Sequence, residues 1–508
     1  MKLIMDVVCC TWLRSLGLLS VTPVIVGLAA SELSAQSMAG SDPHPELHLF
    51  AAADFGLDPY EITFTKDIAP ILQRSCQSCH REAGVAPMPL TTYQDVRRYA
   101  TRIKDRTAIR DRMGAMPPWY LEEDIGVQGF KDDPSLSDEE LAKIQAWVDN
   151  GAPQGNPSDM PPPLEFPDHV GWQLGEPDLV VSSPVVTLPA IGPDRWTNLG
   201  LVPTGATENR YVRSLEVREI NDVDTESASG TVGGRYVFHH MTYSSVVVAQ
   251  DGAAPVDLLA EGSTFWPVHE VGRNADVFSD GSGRLLQANS SLSLRAAHLH
   301  SNGVETTGHL EFGFRFFPKG YEPEFRAGIV GIGNTTDVDV MPNKAGQEFH
   351  HSVVLTEHTR VISYEPHLHA PGTRMCIEAI WGRNTFTLNC AGYDHNWVKQ
   401  YVYEEDAAPL LPKGTILHTI GFLDTSEANP NVADHRNWAG GGRRSVANMF
   451  IDLGQLVRLT EEQFQAELAE RRAKMKSRNE YDVGCFLCWA EIPTMESMTT
   501  TEEKGGTH

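Results

Sequence analysis

A proline-rich stretch from Pro157 to Pro167, centred on Pro161-Pro162-Pro163, divides the chain into two parts whose apolar residues repeat with different periods. Proline fixes φ and withdraws a backbone donor, so neither a helix nor a central strand continues through it, and the stretch acts as a stiff spacer. Before it, from Ile62 to about Ala152, the pattern is helical. Phe64 to Leu72 reads as one helix, and Ser137-Asp138-Glu139-Glu140 reads as the capping box of another, with Leu141, Ile144, Trp147 and Val148 on one face and Gly151 as the stop. After it, from Pro177 to Leu459, runs of alternating Val, Leu, Phe and Thr are separated by Gly, Pro, Asn and Asp turns, as in Val180 to Leu188, Tyr236 to Val248, His309 to Phe317 and Phe349 to Tyr364. At roughly 280 residues this all-β part suits two sandwiches better than one. A last helix is expected from Thr460, followed by Cys485, Cys488 and a polar tail.

The chain has 508 residues, 41% of them apolar, enough for two or three domains with their own cores. Its formal net charge of −26 disfavours binding to nucleic acid or to an anionic membrane surface. Arg14 precedes an apolar run from Leu16 to Ala30 that is short and interrupted by Pro23, with small residues up to Ala35. Residues 1–36 therefore read as a cleaved signal peptide that takes Cys9 and Cys10 with it, an uncleaved anchor being the alternative. No later segment is apolar for long enough to span a bilayer. A periplasmic or secreted location follows.

Cys76-Gln77-Ser78-Cys79-His80 has the C-x-x-C-H spacing of covalent haem attachment. Two thiols about one helical turn apart reach the same porphyrin edge, and the adjacent imidazole takes one axial face of the iron. The competing reading is a bare disulfide, or half a zinc site followed by a chance histidine. The second axial ligand is sought in Met113-Gly114-Ala115-Met116-Pro117-Pro118-Trp119, where Met116 is the first choice, Met113 the second and Met88 the third. A His/Met pair closes the iron to outside ligands and suits electron transfer, so any oxygen chemistry belongs elsewhere in the chain.

Histidines cluster in the β part as Phe238-His239-His240-Met241, His298-Leu299-His300, His350-His351 and His367-Leu368-His369. An H-x-H pair on a strand projects both rings to one side, whereas adjacent histidines share one metal only where the strand is distorted or at an edge. Clustering alone leaves ordinary core or surface histidines as the simpler explanation. Both H-x-H pairs, however, end in turn signals, Ser301-Asn302-Gly303 and Ala370-Pro371-Gly372, where β scaffolds commonly carry sites. Imidazoles with a thioether such as Met449, and no free thiolate, favour copper over zinc in a redox protein.

On these residues the β part resembles the copper type II, ascorbate-dependent monooxygenases, the family of peptidylglycine α-hydroxylating and dopamine β-monooxygenases. With Met116-Pro117-Pro118-Trp119 and Trp172-Gln173-Leu174-Gly175-Glu176-Pro177-Asp178-Leu179-Val180, most of residues 61 to 455 resembles bacterial secreted proteins that fuse a cytochrome c to this module. The resemblance implies an N-terminal all-α cytochrome c domain followed by two all-β, jelly-roll-like sandwiches, each with one copper ion. His239, His240 and His300, with His298 as fallback, match the electron-transfer copper. His367, His369 and Met449 match the copper at which dioxygen is activated. Arg443 to Asn448 lack the acidic residue the family places before its methionine, and the family's disulfide framework is thin here.

The expected organisation is a signal peptide at 1–36, a cytochrome c domain at 61–152, a linker at 153–176, sandwiches at 177–325 and 326–459, and a helix and tail at 460–508. Cys376 and Cys390, flanking a turn at Gly382-Arg383-Asn384, are positioned to pair across strands, with free thiols as the alternative. Cys485 and Cys488, with no histidine following, suggest a terminal disulfide. Covalent haem c would take electrons from a periplasmic donor and pass them to two copper ions. Cu(I) at His367, His369 and Met449 would reduce dioxygen to hydroxylate a C–H bond of a small organic substrate. A haem and copper electron carrier without catalysis, and a metal-free binding module, are the competing functions. Glu365, Tyr364, His350 and His351 read as structural.

Overall fold

The computed structural model describes residues 47–488 apart from 83, 85, 87, 167–170, 225–231, 249–262, 272–274, 443–446 and 479–482. The expected signal peptide, the polar tail and Arg443 to Val446 lie outside the described residues. Residues 41–508 form one compact unit.

The N-terminal segment holds three α-helices, α1 (Ala69–Ser75), α2 (Tyr93–Thr107) and α3 (Asp138–Asp149). Thr92 caps α2, and Ser137 and Glu140 cap α3 reciprocally, each side chain accepting the other's backbone N–H. Phe64, Ile68, Leu72, Val96, Ile103, Leu141, Ile144 and Trp147 pack into a core of their own. The expected all-α domain is nonetheless corrected: the described chain is mostly β, and residues 108–137 between α2 and α3 hold no helix. That stretch carries Gly114, Pro117, Pro118, Gly126, Gly129 and Pro134, which break helices. Its apolar residues, Trp119, Leu121, Val127 and Phe130, belong to the core of the second sandwich instead. Leu121 bridges Ala391, Phe130 bridges Tyr403, and Glu122 holds Arg374 through Nε at 2.5 Å and Nη2 at 2.8 Å.

The first sandwich comprises two six-stranded antiparallel sheets. One has Leu179–Ser182, Thr306–Phe316, Arg210–Asn221 and Arg284–Leu286 side by side; the other has Arg195–Thr197, Ser290–Leu299, Phe238–Val247 and Ser263–Phe265. Tyr243, Trp266, Phe312 and Phe314 fill the space between them. The Trp172 segment closes one face. Gln173 N and Leu174 N donate to the Glu216 carboxylate at 2.8 and 3.1 Å, Glu216 pairs with the buried Arg315 at 3.2 Å, and the Trp172 ring lies under the Arg218 guanidinium at 4.0 Å.

In the second sandwich, Gln347–Val354, Ile416–Leu423, Gly372–Trp381 and Asn384–Gly392 form one sheet. Arg326–Ile329, Gln455–Leu459, His358–Val361 and Leu410–Leu411 form another, and Ile332–Asn334, Phe450–Asp452 and Pro366–Leu368 a third. Cys376 and Cys390 face each other across paired strands and are disulfide-bonded. The helix Glu461–Arg478 packs Phe464 and Leu468 against Val457, Leu459 and a second disulfide, Cys485–Cys488. Among the described residues no helix is long and apolar enough to cross a membrane.

Candidate metal centre

Phe238 to Val247 and Ser290 to Leu299 pair antiparallel, and the ladder slips beside the histidines. His298 lies opposite His240, yet Leu299 lies opposite Phe238, so His239 is an extra residue on its strand. This is a β-bulge, and it removes the alternation that would send adjacent side chains to opposite faces. His239 and His240 therefore both join His298, their ring nitrogens all lying within 4.8 Å of one another.

The tightest trio thus contains the fallback, His298. His300, beyond the strand end, lies with its ring 5.3 Å from His239 and its Nε2 3.0 Å from Tyr236 O. His298 Nε2 meets Asp194 at 2.8 Å, and its ring stacks on Trp196 at 4.6 Å and 6°. Its Nδ1 is buried with no hydrogen-bond partner among the described residues. A carboxylate that fixes one ring nitrogen while the other faces a polar cluster is the arrangement by which proteins orient metal-binding imidazoles.

The strand Pro366–Leu368 brings the second set to the same place. The His240 and His367 rings are 6.1 Å apart, and those of His367 and His369 are 5.7 Å apart. The strand pairs Leu368 with Phe450, so one step further His369 comes level with Met449, which is 9% exposed. His369 Nδ1 meets Ala447 O at 2.7 Å. The two sets expected in separate cages are therefore contiguous across the two sandwiches. His395, absent from every sequence pattern, joins them: its ring is 5.6 Å from His239, and its Nδ1 is buried without a partner among the described residues. It stands alone in the turn Asp394-His395-Asn396, so no spacing marks it. His350 lies outside the cluster, its Nδ1 against His418 Nε2 at 3.0 Å.

Burial, reinforced by neighbouring imidazoles, depresses the basicity of these rings. His239 titrates at about 2, His369 at about 3 and His395 at about 4, and burial drives His240 well below its ordinary value. His239, His240, His369 and His395 are thus held as neutral imidazoles in a buried space, the state that binds transition metals. These residues fit copper.

Glu219 supports the bulged strand, accepting the N–H groups of Val237 and Phe238 at 3.0 and 2.9 Å and Asn221 Nδ2 at 2.6 Å. Burial raises its carboxyl to about 7 against an ordinary 4.5. The folded chain then holds a proton that the unfolded chain releases, so this stabilising contribution is full below pH 4.5 and lost as pH rises through 7. Glu219→Gln should flatten denaturant stability over that window by about 3 kcal/mol.

In the haem motif, Cys76 caps the C-terminus of α1, and its carbonyl accepts from Cys79 N at 3.2 Å and His80 N at 2.9 Å, one helical turn. Cys76 and Cys79 are free thiols, whereas Cys376, Cys390, Cys485 and Cys488 are bonded. His80 is 9% exposed with Nδ1 3.0 Å from Met88 O, which leaves Nε2 for an iron. These residues fit covalent haem. Met88 packs in the same core as Cys76. Met116, the first choice, is 41% exposed and lines a cavity of about 290 Å³ with Phe50, Pro117, Trp119 and Leu136, while Met113 Sδ accepts from Asn431 Nδ2 at 3.2 Å. The loop after the motif is tied to the first sandwich by Arg235 Nη1 to Gly84 O at 2.6 Å, four residues before His239.

No family model and no curated protein matches the chain. Among solved structures, it is similar to a tandem carbohydrate-binding-module structure, CBM22-1-CBM22-2, from Paenibacillus barcinonensis Xyn10C, at 10% identity over 56% of this chain and 98% of that one, with a TM-score of 0.13. The VP2 subviral particle of infectious bursal disease virus gives 8% identity over 68% and 97%, with a TM-score of 0.14. Likenesses this weak say nothing about function.

Proposed function

We propose that the chain is an exported haem- and copper-containing monooxygenase of the copper type II, ascorbate-dependent kind, acting on a C–H bond of a small organic substrate. The observation that carries this reading is the meeting of His239, His240 and His298 from one sandwich with His367, His369 and His395 from the other. When bound, haem would carry electrons from a periplasmic donor, and copper would supply one-electron chemistry with dioxygen.

The chain's own residues prepare that chemistry. Cys76 and Cys79 would hold the porphyrin, and His80, fixed through Nδ1, would offer Nε2 to the iron. Asp194 and Trp196 hold the His298 ring, Ala447 O holds His369, and the surrounding cores keep bulk water from the imidazoles. Met449, level with His369, adds the soft donor that favours cuprous over cupric ion.

Oxygen uptake by prereduced, copper-loaded protein over a panel of C–H substrates is the test, with wild type expected to couple uptake to product and His369→Ala to lose at least about a hundredfold. Intact haem and copper with no substrate-linked uptake would leave the second reading, a haem and copper electron carrier. The burial of His367 at 7% and His369 at 1% favours that alternative, because an oxygen site must admit substrate. Cys76→Ser with Cys79→Ser should abolish covalent haem, read as loss of haem absorbance from denatured protein, while leaving copper content unchanged.

A further inference from the structure

One buried acid, Glu270, stands beside the histidines. Glu270 ends the short strand His269–Glu270, and the register sets it opposite His240. It is 1% exposed, and its Oε1 lies 3.4 Å from Nδ1 of His367 on the other sandwich. The two atoms are outside hydrogen-bond geometry, and among the described residues neither has a hydrogen-bond partner. Glu270 therefore stands where the two histidine groups meet, with His240 on its own sheet and His367 across from it.

A buried carboxylate oxygen without a partner is costly. So is a buried cation whose ligands are all neutral, as imidazoles and a thioether are. Asp194, the other acid against these rings, is already engaged by His298 Nε2 at 2.8 Å, and its side chain is 58% exposed. One carboxylate at the junction answers both costs. We propose that Glu270 is a metal ligand shared by the two histidine groups, so that they hold their ions as one carboxylate-linked centre spanning both sandwiches. This rests on the copper reading given above. A hard carboxylate oxygen at that point also stabilises cupric over cuprous ion, the opposite bias to Met449.

The test is titration of metal-free protein with copper alone, read by bound stoichiometry, by the cupric paramagnetic resonance spectrum and by thermal unfolding with and without metal. Glu270→Gln is expected to weaken binding by about ten- to a hundredfold, to alter the cupric spectrum, and to leave the metal-free protein as stable as wild type or more so, because an uncompensated charge is gone. Glu270→Asp, which keeps the charge on a shorter arm, should restore part of the affinity. Wild-type affinity and spectrum in Glu270→Gln overturn the proposal. So does a variant that loses metal-free stability while its copper affinity is unchanged, which makes the residue a structural partner of His367. Failure of wild type itself to take up copper overturns the copper reading, an outcome visible before any variant is compared.

Discussion

Between pH 7 and pH 5 the metal-free protein is expected to lose at least about 3 kcal/mol of stability, and a Glu219→Gln, Asp452→Asn variant at least about 6 kcal/mol. His239, His369 and His395 hold pKa values of about 2, about 3 and about 4 in the folded chain, against 6.5 ordinarily. Below pH 6.5 the unfolded chain takes up protons that the folded chain refuses. Their stabilising contribution is therefore full above 6.5 and lost as pH falls, at about 2 kcal/mol for each ring by pH 5. Glu219 and Asp452 act in the other direction, since burial raises them to about 7 and about 6. Both bind protons more readily when folded, so their contributions grow as pH falls through these values and offset about 3 kcal/mol of the loss. Urea unfolding at the two pH values measures the difference. Equal losses in wild type and the double variant would show that the carboxyls are not protonated in the fold, and His395→Gln should shrink the loss by about 2 kcal/mol.

Glu216→Ala is expected to destabilise the protein by about 3 to 5 kcal/mol, because it strands a buried guanidinium. The Arg315 and Glu216 side chains are 2% and 3% exposed, and the pair sits between the first sandwich and the Trp172 segment. The same carboxylate accepts the backbone N–H groups of Gln173 and Leu174, and Arg315 donates to Gly175 O. Loss of the acid therefore leaves the cation uncompensated and frees the segment that covers Gly313, whose Cα faces the Trp172 ring. Calorimetry should show a fall in Tm of roughly 4 °C. Combining Glu216→Leu with Arg315→Met should recover most of the loss, since two apolar residues replace a pair whose desolvation nearly cancels its attraction. A double variant as unstable as the single would place the energy in the backbone contacts instead.

What the sequence disclosed was local. The turn from Cys76 to His80 depends on residues 76 to 80 alone, and the capping box at Ser137 needs only residues 137 to 140. The alternating runs of the β part likewise mark strands without reference to their partners. The histidine centre is different, because its geometry comes from pairings far apart in sequence. The bulge at His239 arises in the ladder with residues 290–299, and nothing in Phe238-His239-His240 announces it. His395 carries no spacing, and the choice of His298 over His300 depends on which residue faces His240. The error over residues 108–137 has the same origin. Trp119, Leu121 and Phe130 are apolar enough for a helical core, but their partners, Tyr401, Ala391 and Tyr403, lie more than 250 positions further on.

That borrowed stretch bears on how such a protein can be taken apart. A fragment cut after residue 152 would carry Trp119, Leu121, Val127 and Phe130 away from the wall they complete, baring aromatic surface on both pieces. The N-terminal helical segment is consequently no cassette: it cannot be exchanged or grafted without taking part of its neighbour's interior along.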